Sequence, residues 1–275
     1  MAEELRKYDS FDYALFVRPD MFPLSFVESV REKTACMSAY QWDGLSRYNE
    51  VNLYIEKFDR FFVFDETDLS DNLLPLTNFC AGSLYPSVSG SNEIEKSAFF
   101  LSSYDPARFR QSIELKRLLE MHKIKCEFIF VSSKRNKKQD KEIQINGFGV
   151  LRKEISYLEN IRNVVNADII IDICVEGHQG LSFRVFESLS LSKKLITTNS
   201  SIKQYDFYHP NNIFVWDGSN AKDLSDFLEK PIFVVQSQIR NKYTFLNWIK
   251  YVFDFGSYKE INLPKNVQSQ INAGK

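Results

Sequence analysis

Residues 167–199 read ADIIIDICVEGHQGLSFRVFESLSLSKKLITTN. The stretch opens on an apolar, β-branched run, Asp168 to Cys174, and passes through a loop with two glycines, Gly177 and Gly180. A helical pattern follows over Leu181–Leu191, and a second apolar run, Leu195–Thr198, closes it. Strand, glycine loop, helix and strand make a βαβ unit. At its loop-to-helix junction the backbone N–H groups are unpaired and the helix dipole favours negative charge. Arg184 and Glu187 lie three residues apart, so both project from one face of the helix. With His178, Gly180, Leu181 and Ser182 they form the first candidate site. The arginine suits a diphosphate, and the carboxylate suits ribose or sugar hydroxyls. The alternative is a plain βα turn in which the glycines only relieve backbone strain and Arg184 pairs with Glu187. The glycine spacing is not GxGxxG, so a dinucleotide fingerprint is not supported.

Outward from this unit, short apolar runs alternate with helical patterns. Strands are expected at Tyr13–Val17, Ala35–Tyr40, Arg60–Phe64, Ala98–Leu101, Glu127–Val131, Ile169–Ile173, Lys194–Thr198 and Ile213–Val215. Helices are expected at Leu24–Glu32, Asn49–Lys57, Pro106–Met121, Ile155–Asn166, Leu181–Leu191 and Ala221–Glu229, and a last one over about 236–254. The alternation predicts α/β layers with mainly parallel sheets. YPSVSGSNEIEK, residues 85–96, has turn formers and charges without an apolar period, and marks a boundary. The expected division is a first α/β domain over 1–88, a Rossmann-like domain over 89–255 and a tail over 256–275. The first part supplies only about three strands, so that domain reads as shortened.

With 44% hydrophobic and 15% aromatic residues, the chain has ample material for packed cores. A net charge of −1 gives no global case for nucleic-acid binding. The four cysteines, Cys36, Cys80, Cys126 and Cys174, are far apart and read as free thiols of a reducing compartment. The amino terminus has no apolar signal core, and no apolar run approaches a membrane span. A cytoplasmic location is expected, with peripheral contact at the inner membrane face left open. The basic run KRNKKQDK, residues 134–141, reads as a solvated loop or helix end, or as a contact to anionic lipid or phosphate. The three histidines lack metal-ligand spacing, and no cysteine–histidine set resembles a zinc site, so no metal is expected.

Three further groups carry candidate chemistry. Thr198 and Asn199 end a strand at the edge where open α/β sheets bind ligands, and Lys203 follows close behind. The competing reading is turn and cap chemistry. Ser102 and Ser103 also end a strand, with Asp105, Pro106 and Arg108 opening the next helix; they could face a second phosphate, or Asp105 could be only an N-cap. In the first domain, Asp20 and Asp43 each follow a strand, and an acid there could serve as a general base or grip an acceptor hydroxyl. Asp43 beside Trp42 suits a sugar face; a structural turn is the alternative.

HQGLSFRVFESLSLSKKLITTNSSIKQYDFYHPNNIFV, residues 178–215, resembles the carboxyl-terminal motif of bacterial glycosyltransferase-like proteins associated with lipopolysaccharide or capsular polysaccharide synthesis. DYALFVRPD, the YQWD strand end and FDRFFVFDETD are similar in outline. The resemblance implies a GT-B-like fold, with two Rossmann-like domains facing a cleft. A nucleotide-sugar donor would bind mainly the second domain and a glycan or lipid-linked glycan acceptor mainly the first. By position, Arg184 would face the donor diphosphate and Glu187 the ribose or sugar, with Thr198, Asn199 and Lys203 lining the same cleft. Retaining enzymes of this kind often carry a second glutamate where this chain has Gln179, and glycine is usual where it has Ser102. The implied activity is sugar transfer without a bound metal or cofactor, its stereochemistry unassigned. Arg184 would stabilise the leaving diphosphate, and Asp43 or Asp20 would act as base if the reaction inverts. The alternative is a non-catalytic nucleotide-sugar-binding or assembly subunit with a degenerate fold of this type.

Overall fold

The computed structural model describes residues 2–82, 96–132, 136–175 and 179–264. They divide into two compact units. The described residues of the first fall within 1–79, 177–181 and 237–275, and those of the second within 80–176 and 182–236.

The first unit opens with a one-turn helix, α1 (Ala2–Leu5), then β1 (Phe11–Val17), α2 (Leu24–Arg31), β2 (Thr34–Gln41), β3 (Arg60–Val63) and the short β4 (Leu74–Pro75). The four strands pair in parallel in chain order. Successive side chains on a strand face opposite sides of the sheet. Met37 and Ala39 of β2 and Phe61 and Val63 of β3 accordingly share one core with Val27 and Val30 of α2. The span Asn49–Lys57, expected as a helix, forms two 3-10 turns instead, Asn49–Leu53 and Ile55–Lys57. Its asparagines, valine and tyrosine are weak helix formers.

The second unit contains β5 (Ser97–Ser103), α3 (Pro106–Met121), β6 (Lys125–Val131), α4 (Lys137–Ile145), β7 (Gly149–Leu151), α5 (Tyr157–Asn166), β8 (Ile169–Asp172), α6 (Phe183–Leu191), β9 (Lys194–Thr197), β10 (Ile213–Val215) and α7 (Leu224–Glu229). The sheet is parallel, in the order β10-β9-β8-β5-β6-β7. This is the doubly wound Rossmann order, and its direction of winding reverses between β5 and β8. Ligands of such sheets bind outside the carboxyl ends of the strands at that reversal. Residues 137–141 of the basic run start α4, which Asn136 caps by accepting from Gln139 N at 3.2 Å; residues 134 and 135 lie outside the described residues. Most of the expected boundary, 85–96, does too.

The chain then returns to the first unit as α8 (Ser237–Lys242) and α9 (Phe245–Val252). One continuous helix was the expectation here. It breaks at Tyr243, whose side chain is buried, and Thr244 caps the second piece through Asn247 N. α9 covers the other face of the first sheet. Trp248 packs on Tyr40 at 5.6 Å, Tyr251 on Phe62 at 5.5 Å, and Ser38 Oγ donates to Val252 O at 3.0 Å. Residues 237–254, read from sequence as part of the second domain, therefore complete the first. The expected tail also contributes, since Ile261 is fully buried. Among the described residues no helix is long and apolar enough to cross a membrane.

Candidate functional site

The carboxyl ends of β5 and β8 gather most of the residues that sequence singles out in the second unit. Arg108, in the first turn of α3, reaches back to Ser102 Oγ and donates to Ser103 O at 3.3 Å. Arg184, at the start of α6, donates to Leu101 O. Two guanidinium groups from different helices thus meet the end of one strand. Arg108 Nε is buried without a partner. Burial, and next the positive charge of Arg184, push the Arg108 pKa below its ordinary value.

Asp172 organises this edge. It ends β8 almost fully buried and accepts from Ser182 Oγ at 2.8 Å and from Thr197 Oγ1 at 2.9 Å. Its Oδ1 lies 3.4 Å from Arg184 Nη1. Because Ser182 turns its hydroxyl to Asp172, it makes no side-chain cap on α6, although it is the N-cap residue. α3 differs: Asp105 accepts from Arg108 N at 2.9 Å and closes that helix start. Of the two helix starts, α6 is the one without a side-chain cap, and its dipole favours negative charge there.

Glu187 follows one turn into α6. It is 2% exposed, and its Oε2 has no hydrogen-bond partner. Burial pushes its pKa up to about 7, against the charge of Arg184 and a hydrogen bond from Tyr157, with Asp172 adding to the rise. Cys174 is raised to about 12, first by burial and then by Asp172. Thr198 Oγ1 accepts from Cys174 N at 2.9 Å and ties the ends of β8 and β9 together. Asn199 behaves as turn chemistry: it caps the turn Ser200–Gln204, accepting from Ser201 N at 3.0 Å. Lys203 is exposed on that turn. His178 lies outside the described residues. Neither Asp172 nor Tyr157 stood out in the sequence. A carboxylate closing an otherwise apolar strand was the available signal for Asp172.

Gly180 and Leu181 fall in the first unit. A Cβ on Gly180 would sit 2.2 Å from the Phe64 ring, so glycine there permits close packing. Leu181 is buried, with its carbonyl accepting from Asn78 Nδ2 at 2.9 Å. Gln179 N donates to Asp65 Oδ2 at 2.9 Å.

In the same unit, Asp20 and Asp43 both pair with Arg18, which has a left-handed backbone at φ +58°. Arg18 grips Asp20 bidentately, at 2.8 and 2.6 Å, and its guanidinium lies 4.1 Å from the centre of the Tyr48 ring. Burial alone would raise the Asp20 pKa, but the hydrogen bond and charge of Arg18 outweigh it and hold the carboxyl below its ordinary value. Arg47 approaches Asp43 at 3.7 Å.

No protein-family model matches the chain, and no curated protein matches it in sequence. Solved structures do match in fold. TarM aligns with a TM-score of 0.56 at 13% identity, over 86% of this chain and 53% of that one. An alpha-glucosyltransferase in complex with UDP and a 13-mer DNA aligns at 0.54 and 9% identity, over 88% and 74%. MnaA of S. aureus, in a co-structure with UDP, aligns at 0.52 and 12% identity, over 96% and 81%. The chain thus spans about half the length of the TarM chain it matches. Two parallel-sheet α/β units with these neighbours make the fold GT-B-like.

Proposed function

We propose that this GT-B-like chain is a glycosyltransferase that moves a sugar from a nucleotide-sugar donor to a glycan acceptor. The observation that carries the reading is the pair Arg108 and Arg184 on the end of β5, one with an unpartnered buried Nε, beside the uncapped start of α6. The donor diphosphate lies against these groups, and Glu187 takes the ribose or sugar hydroxyls. As the bond from the anomeric carbon to the diphosphate breaks and the acceptor oxygen bonds to that carbon, the arginines and helix start stabilise the departing charge. The acceptor proton goes to Asp43 or Asp20 if configuration inverts; Arg18 pairs with both carboxylates. No divalent ion is assigned to this step. UDP bound to MnaA and to the alpha-glucosyltransferase supports a nucleotide-sugar partner. The acceptor class we propose is a lipopolysaccharide or capsule glycan at the inner face of the cytoplasmic membrane, following the motif at residues 178–215.

Calorimetric titration with UDP in EDTA-containing buffer tests the donor site. Arg184→Ala and Arg108→Ala should each weaken UDP binding about 10- to 100-fold, the range for a lost hydrogen bond to a charged group. Wild-type affinity in both variants would refute the placement. Transfer or hydrolysis of a nucleotide-sugar separates an enzyme from a non-catalytic subunit of the same fold, which would bind the donor without turning it over.

A further inference from the structure

A site for an anion gains nothing from a buried carboxylate, yet Asp172 stands beside the arginine pair at 2% exposure. Its Oδ1 accepts from Ser182 Oγ at 2.8 Å and from Arg184 Nη1 at 3.4 Å. Its Oδ2 accepts from Thr197 Oγ1 at 2.9 Å and from Cys174 Sγ at 3.9 Å. Thr197 is fully buried, and its Oγ1 accepts from Asn199 N at 3.0 Å, so its hydroxyl hydrogen is left for Asp172. Partners that are all donors, a guanidinium among them, suit a charged carboxylate, which only accepts. Bonds to the start of α6 and the end of β9 keep it from turning away. Its charge also acts on Arg108, opposing the fall in that pKa. The two guanidinium groups thus carry a fixed counter-charge before any ligand arrives.

We propose that Asp172 is a specificity-determining residue that makes this site discriminate by ligand charge, disfavouring a free diphosphate against the same diphosphate esterified at its terminal phosphate. The inference rests on the reading of the β5–β8 edge as a nucleoside diphosphate site. A nucleotide-sugar carries one negative charge on each phosphate. The diphosphate left after transfer gains nearly one more above pH 7, because a terminal phosphate loses its second proton near pH 6. A phosphate bonded to Arg184 shares that guanidinium with Asp172, at about 7 Å from the carboxylate, where like charges repel even in water. The extra charge therefore weakens the hold on the product more than on the donor, and release of product sets the turnover of many enzymes.

Asp172→Asn keeps the shape and an acceptor oxygen while removing the charge, and Asp172→Ser is a second neutral variant. The probes are UDP and the methyl ester of its terminal phosphate, titrated calorimetrically at pH 8 in low-salt buffer containing EDTA. Wild type, both neutral variants and Arg184→Ala are compared, with thermal melting as the folding control. The ratio of the UDP to the ester dissociation constant cancels any loosening of the site that both probes feel. That ratio should fall at least about threefold in the neutral variants, the effect of one unit charge at about 7 Å even with the screening of bulk water. An unchanged or raised ratio, with both probes weakened by Arg184→Ala, would reduce Asp172 to positioning Arg184; it overturns this inference and leaves the site reading standing. Failure of both neutral variants to fold would make the carboxylate a requirement of the fold and overturn the charge role. UDP binding in no protein, or binding indifferent to Arg184, overturns the site reading and this inference with it.

Discussion

A glutamate in the interior of a protein is an ionisable group held where charge is expensive, and Glu187 makes that cost measurable. Its ordinary pKa is near 4.5, and in the folded chain it is pushed up to about 7. Below pH 4.5 the carboxyl is protonated in both the folded and unfolded states. Between 4.5 and 7 only the folded state keeps the proton, so stability falls as pH rises through this window. Glu187→Gln removes the titration while keeping the shape. Its stability relative to wild type should therefore improve between pH 5 and pH 8, by about 3 kcal/mol at most. Denaturant titrations of both proteins at the two pH values measure it, and parallel pH profiles would contradict it. Asp20 has the opposite sign: Arg18 holds it below its ordinary value, so its contribution is present at neutral pH and fades as acid protonates it.

At the scale of elements, end signals decide what is legible in a sequence. α3 runs over Pro106–Met121 as expected, because Asp105 caps it and Pro106 fits its first turn. β10 also matches, as a short apolar run between turn formers. α5 carries a complete capping box, Ser156 with Glu159. Ser156→Ala should cost about 1 kcal/mol, visible as a lower melting temperature. The elements that escaped are those with weak local signals. β4 has two residues and β7 three, and pairing with longer neighbours defines both. The arginine pair follows the same logic: each arginine was visible singly, but only the strand order β8-β5 sets α3 and α6 against the same strand end. Asp172 hid for a related reason, since its role comes from partners ten and twenty-five residues away.

At the scale of the whole molecule, the first unit is assembled from separated stretches of chain. Its sheet has α2 on one face and α9 on the other, and Trp248 Nε1 donates to Thr77 O at 2.8 Å. Trp248→Ala should destabilise this unit by about 3–5 kcal/mol, as for other large-to-small changes in a core. A chain ending at Gln236 should expose the β2 and β3 face that carries Tyr40 and Phe62. Amide exchange in β2 and β3 would register both changes; protection in the truncated chain equal to wild type would show that α9 adds nothing to the first sheet.

That arrangement also bears on how the molecule comes into being. A ribosome releases β1 and β2 early, yet the helix that covers their second face emerges some 200 residues later, at Phe245–Val252. The Rossmann sheet, with all its strands before residue 216, can close first. During synthesis β2 and β3 thus wait half-covered, exposing Tyr40 and Phe62 to whatever binds nascent apolar chains, until α9 arrives.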